Sequence, residues 1–316
     1  MNRRNVGIMA VGALLMAGAA ACGGGSEHAV MAVSVPAQKA IAERFGGGVE
    51  VLALVSGDVD PESFEISIRT AAQASGAKAY FPTGALPFER SFVEALHGSV
   101  PVVATGTDIE PIEGTHGEHG GVDPHVWTSA GFRRAFADGY FRELCRLYPD
   151  SVDNFSRRAS EIQNMFAMQD DSIRRVLGGR EYAFGIMHPS LSYFARDWGL
   201  RQIAFNPENK EPGAMAVRQL VDSMRAAGVK VIFYEDPGSE RQARLLADEV
   251  GARAVAIDLM SGDIGTELVR IANEIARPCL QVRPLPQRAG LAPVQSFGYQ
   301  LQPGAPSDTC RYQPNG

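Results

Sequence analysis

Residues 151–177 read as one unbroken helix in the middle of a 316-residue chain. Ile162, Phe166, Ile173 and Val176 recur at helical spacing, with Arg, Asp, Glu and Gln between them. At 1.5 Å per residue the helix would be roughly 40 Å long, which is long for a globular protein. On both sides of it, short apolar runs alternate with helical patterns. Strands are expected at 29–35, 49–55, 77–81 and 100–104 before it, and at 182–187, 201–205, 229–234 and 253–257 after it. Such alternation implies βαβ units and parallel strands. The expected fold is therefore α/β: two α/β lobes with mostly parallel sheets, joined by one long rigid helix. The lobes would span 29–150 and 178–280, with 151–177 as the linking helix. Residues 281–316, rich in Pro, Gln and Gly, form a C-terminal tail without a readable element.

The N-terminus reads as an export signal over 1–21, with Arg3 and Arg4 ahead of an apolar run from Val6 to Ala21 that is short for a membrane span. Ala19-Ala20-Ala21-Cys22 is followed by Gly23, Gly24, Gly25 and Ser26. Small residues before a Cys and a flexible stretch after it are similar to a bacterial lipoprotein cleavage site. Lipidation is expected on Cys22, with 22–28 as the tether; a plain secretory signal is the alternative. The expected location is extracytoplasmic, in the periplasm or at the cell surface. The formal charge is −6, and loss of Arg3 and Arg4 makes the mature chain more acidic still. No basic stripe is available for phosphates, so nucleic acid is excluded as a partner. Cys279 and Cys310 flank the tail and are expected to form a disulfide, which an oxidising compartment permits. Cys145 lies in a helical pattern and is expected to pack as a small hydrophobe.

Several segments could carry chemistry. In Asp123-Pro124-His125-Val126-Trp127, Pro124 stiffens the chain before His125, and Trp127 can pack beneath the imidazole, which is what a metal site needs; a surface or satisfied core histidine is the alternative. His188 follows the strand at 182–187, where ligands of open α/β sheets bind. Asp258 ends the strand at 253–257, and Glu235 the one at 229–234. Strand-end carboxylates also cap helices. For Glu235-Asp236-Pro237 capping is the better reading; for Asp258 the two readings stand even. Asp60-Pro61-Glu62-Ser63-Phe64-Glu65 also lies between a strand and a helix, with helix capping by Glu62 or Glu65 as the alternative. His116 and His119 lie in a polar loop at 110–121 and could form an auxiliary, weak metal loop.

With these segments in order, the chain resembles the zinc/manganese ABC-transporter solute-binding proteins, the ZnuA/TroA-like cluster, from Ala29 to about Cys279. The resemblance implies a metal site in the cleft between the lobes and delivery of the ion to the membrane permease of an ABC importer. It implies His125, His188 and Asp258 as ligands. Glu62 stands where the family carries a His after Asp-Pro, which gives two imidazoles and two carboxylates. That set suits Zn²⁺ or Mn²⁺, admits Fe²⁺, and disfavours soft Cu(I) because it has no thiolate. Zinc is favoured over manganese, because the zinc-specific relatives carry a His-rich loop where His116 and His119 lie. A monomer is expected, and no enzyme activity. The competing readings are a metallohydrolase with Glu235 as base, a surface adhesin lipoprotein of the same fold, and an organic-solute binder.

Overall fold

The computed structural model describes residues 30–57, 59–113, 121–205 and 213–277. The export signal, Cys22, the tether, His116, His119, Cys279, Cys310 and the tail lie outside the described residues. In the first lobe, β1 (Val30–Val33), β2 (Glu50–Ala53) and β3 (Ala79–Phe81) form a parallel sheet in the order β2-β1-β3. Around it lie α1 (Pro36–Glu43), α2 (Ile68–Ala74), α3 (Pro87–Ala95) and α4 (Ala130–Leu147). In the second lobe, β4 (Ala183–Ile186), β5 (Arg201–Ala204), β6 (Val231–Tyr234) and β7 (Arg253–Ala256) form a parallel sheet ordered β5-β4-β6-β7. Its helices are α6 (Ser192–Trp198), α7 (Ala214–Ala226), α8 (Glu240–Val250) and α9 (Ile264–Ala276).

Between the lobes runs α5 (Val152–Leu177), a single helix of 26 residues. Its buried side is Phe155, Ile162, Phe166, Asp170, Ile173 and Leu177, a stripe of steps of three, four and seven. The one charged member, Asp170, pairs with Arg134, and Arg133 lies 3.7 Å away. The helix stops at Gly178, which takes the left-handed conformation at φ 58° that an L side chain rarely adopts. Both α4 and α9 pack along α5. One apolar core therefore runs from the first sheet through Phe166 and Ile173 to Phe184, Phe233 and Leu268. A second core, with Met224, Ile232 and Leu246, covers the other face of the second sheet. Strands buried on both faces carry continuous apolar runs, as Val231–Tyr234 does.

Residues 100–104 do not form the expected strand. They make a single bridge, Tyr80 to Val102, with Tyr80 N–H donating to the Pro101 carbonyl at 2.9 Å. Pro101 has no N–H to donate, and both Pro101 and Val102 are exposed at the sheet edge. Cys145 packs half-buried against the core, and burial pushes its thiol pKa up. Among the described residues no helix is long and apolar enough to cross a membrane.

Candidate metal centre

In a parallel sheet all strands point the same way, so the segments after β2, β4, β6 and β7 emerge on one side of their sheets. Glu62 lies in the segment after β2. Asp60 shapes that turn: its carboxylate accepts the Glu62 N–H at 3.0 Å and the Ser63 hydroxyl at 2.8 Å. Phe64 anchors it edge-on to Phe88 of α3, with centroids 4.9 Å apart. The cap of α2 is Ser67, which accepts the Thr70 N–H at 3.1 Å. Glu62 and Glu65 therefore do not cap the helix, and the Glu62 carboxylate turns to His125 and His188.

His125 is 3% exposed and held on several sides. One oxygen of Asp123 accepts the His125 backbone N–H at 2.9 Å and lies 2.9 Å from ring Nδ1. A carboxylate at that distance fixes the proton on Nδ1 and leaves the Nε2 lone pair for a cation. Asp123 is buried, which raises its pKa, but the hydrogen bonds and charge of His125 outweigh burial and hold it below the usual carboxylate value. Trp127 packs 5.3 Å from the imidazole and donates its indole N–H across to the Leu259 carbonyl at 3.0 Å. Tyr193 of α6 donates its hydroxyl to the Asp123 carbonyl at 3.0 Å and accepts the Ile112 N–H at 3.3 Å. The segment carrying His125 is thus tied to the second lobe.

His188 follows β4. Its ring lies 5.1 Å from that of His125, edge to face at 70°. Glu62 Oε1 stands 3.3 Å from His188 Nε2 and 3.6 Å from His125 Nε2. The donor atoms of Glu62, His125 and His188 all lie within 4.8 Å of one another, a spacing one metal ion can close. Burial alone would lower the His188 pKa; the hydrogen bond and charge of Glu62, with Glu235 and Asp60, raise it above the ordinary value.

The cleft beside these groups has a volume of about 880 Å³ and is also lined by Asp60, Glu235 and Asp258. Asp258 is exposed, and its Oδ1 accepts the Met260 N–H at 3.0 Å, so its carboxylate shapes its own turn. It lines the cleft, outside the group of three. Glu235 does not cap the turn after β6; Asp236 does, accepting the Gly238 N–H at 3.0 Å. The Glu235 carboxylate takes a hydrogen bond from the Ser190 hydroxyl. Burial pushes its pKa up and Glu62 adds to that, while His125, Ser190 and His188 pull it down. Asp123 lies in the His125 motif, but its orienting role shows only in its hydrogen bonds to His125; Tyr193 and Ser190 carried no local signal.

Two imidazoles and a carboxylate converge beside the cleft between two parallel α/β lobes, a donor set suited to a divalent transition metal. The arrangement defines a two-lobed metal-binding protein. The chain belongs to the ZnuA family, described as zinc-uptake complex component A, periplasmic, whose model matches residues 31–270. It is 28% identical over 153 residues to the zinc-binding protein AdcA of Streptococcus pyogenes serotype M1, covering 46% of this chain and 30% of the relative. The chain thus spans under a third of that relative's length. It is 28% identical over 250 residues to a putative metal-binding protein of Treponema pallidum, covering 72% of this chain and 78% of that protein. A crystal structure of ZnuA superposes with a TM-score of 0.70 at 29% identity, over 79% of this chain and 98% of that one. A manganese-bound periplasmic metal-binding protein of candidatus Liberibacter asiaticus shares the fold, with a TM-score of 0.63 at 19% identity, over 78% of this chain and 99% of that one.

Proposed function

We propose that the chain is an extracytoplasmic solute-binding protein that captures a divalent transition metal, zinc ahead of manganese or Fe²⁺, and delivers it to the permease of an ABC importer. The observation that carries this reading is the convergence of Glu62, His125 and His188 within 4.8 Å. Family membership supports it, and relatives named for zinc binding and zinc uptake favour transport over hydrolysis. Two imidazoles favour zinc over manganese. Asp258, exposed in the same cleft, serves as the further carboxylate that meets the incoming hydrated cation. A lipid on Cys22 would hold the protein at the membrane beside its permease.

Metal binding is tested by metal analysis of chain stripped with chelator, reloaded from an equimolar mixture of Zn²⁺, Mn²⁺ and Fe²⁺, and dialysed. The expected result is about one zinc per chain, in line with the stronger N-donor preference of zinc. Retention of manganese or iron alone would overturn the preference, and retention of no metal would overturn the binding reading.

A further inference from the structure

Arg133 of α4 carries a buried charge that its neighbours do not match. Its side chain is 2% exposed, and Nε and Nη2 have no hydrogen-bond acceptor among the described residues. Only Nη1 is engaged, donating to Gln169 Oε1 at 3.0 Å, while the ring of Phe166 lies 5.4 Å from the guanidinium carbon. Three carboxylates act on Arg133 through space, those of Asp170, Asp197 and Asp263. Each already has a cation of its own. Asp170 pairs with Arg134, Asp197 stands 3.1 Å from Arg196, and Asp263 stands 4.0 Å from Arg44. Asp170 Oδ1, also buried without a donor, comes to 3.7 Å from Arg133 Nη2, beyond hydrogen-bond distance. A buried charge without a close partner is costly. Burial brings the Arg133 pKa down to about 10 in spite of those carboxylates, and Arg134 adds to the fall.

Beside Arg133 lies a small cavity of about 10 Å³, lined also by Arg44, Gln169, Asp263, Ile264 and Gly265, where the two lobes meet the linking helix. Ile264 and Gly265 open α9, a helix of 13 residues. Asp263 caps only the Thr266 N–H, at 3.3 Å, so the N–H groups of Ile264 and Gly265 remain in the orphan first turn, at the positive end of the helix dipole. Gly265 lets that turn close on Gln169, because a Cβ there would collide with the carboxamide. The cavity has room for about one water-sized occupant, and the half-exposed Arg44 at its edge can shift to admit a slightly larger one. The opposing charge of Asp263 is half-exposed, so water screens it. We infer that this cavity binds a small monovalent anion, a halide such as chloride, against Arg133 and the first turn of α9. The ion stabilises the folded chain by clamping α4, α5 and α9 together. This site is separate from the metal centre and does not depend on that reading.

Two measurements on the metal-free full chain test this. The first is calorimetric melting in sodium chloride against sodium gluconate at equal ionic strength, since gluconate is too large for the cavity. Chloride should raise the melting temperature by about 2–4 °C. Arg133→Gln, which removes the charge, should melt alike in the two salts. The second is the anomalous signal of crystals grown in sodium bromide, where a bromide peak should lie within hydrogen-bond distance of Arg133 Nε or Nη2. Equal melting of wild type in the two salts would overturn the inference. So would a water in place of bromide, bridging Arg133 Nη2 to Asp170 Oδ1. A chloride effect that persists in folded Arg133→Gln would place the ion elsewhere and overturn the site. Should that variant fail to fold, the wild-type melting and the bromide peak decide the matter between them.

Discussion

Tyr193→Phe tests whether the tie between the lobes holds the His125 segment. The Tyr193 ring is 1% exposed and would stay in place. What is lost is the hydroxyl, which donates to the Asp123 carbonyl at 3.0 Å and accepts the Ile112 N–H at 3.3 Å. Asp123 is also 1% exposed, so its carbonyl is left buried without that donor. Orphaning such a group costs about 1–3 kcal/mol. Ile112 is only half-buried, so water can replace its partner at smaller cost. A total of about 2 kcal/mol follows, and at about 2–4 °C per kcal/mol the metal-free chain should melt about 4–8 °C lower. Asp123 orients His125, so zinc affinity should also fall severalfold. Calorimetric melting of the metal-free chain and a zinc titration give the two numbers. A melting change under about 1 °C with unchanged zinc affinity would refute the tie as a source of stability and preorganisation.

Two further outcomes follow from the same geometry. Asp123→Asn should leave the fold intact but lower zinc affinity by about 10–100-fold in competition titrations, because the amide no longer fixes the His125 tautomer; wild-type affinity would count against the orienting role. The raised His188 pKa has opposite effects on two observables. In the metal-free chain the stabilisation from protonated His188 is fully present below the ordinary histidine value and is lost as pH rises through the raised one. Zinc affinity should rise over that interval, since the metal needs the neutral ring. Melting of wild type against Glu62→Gln between about pH 6 and pH 8 reads the first effect, and parallel curves would exclude it.

Much of this arrangement was legible in the sequence because it depends on local pattern. The buried stripe of α5 needs only a helical period, and alternating apolar runs and helical patterns are enough for parallel sheets. His188 and Glu62 could be placed because parallel strands bring their C-terminal ends to one side. The segment at 100–104 was misread because an apolar run looks the same whether it pairs along its length or touches one edge residue. Asp258 could not be resolved between capping and ligation, since both start from a strand end; the structure shows its carboxylate engaged by Met260 N–H. For Glu235 and Asp236 the capping job fell to the second residue, which depends on how the chain turns after β6. Tyr193 reaches Asp123 across 70 residues, a contact that only the packing of α6 on the first lobe creates.

The central claim is that one ion is shared by Glu62, His125 and His188, and a zinc-induced thermal shift tests it most directly. An ion held by donors from both lobes stabilises the folded chain by mass action, by about 2.7 kcal/mol at zinc a hundredfold above its dissociation constant. Wild type should melt at markedly higher temperature with zinc than without, while His125→Ala and His188→Ala should each lose most of that shift and Glu62→Ala a large part of it. A shift that survives intact in both histidine variants would contradict the site.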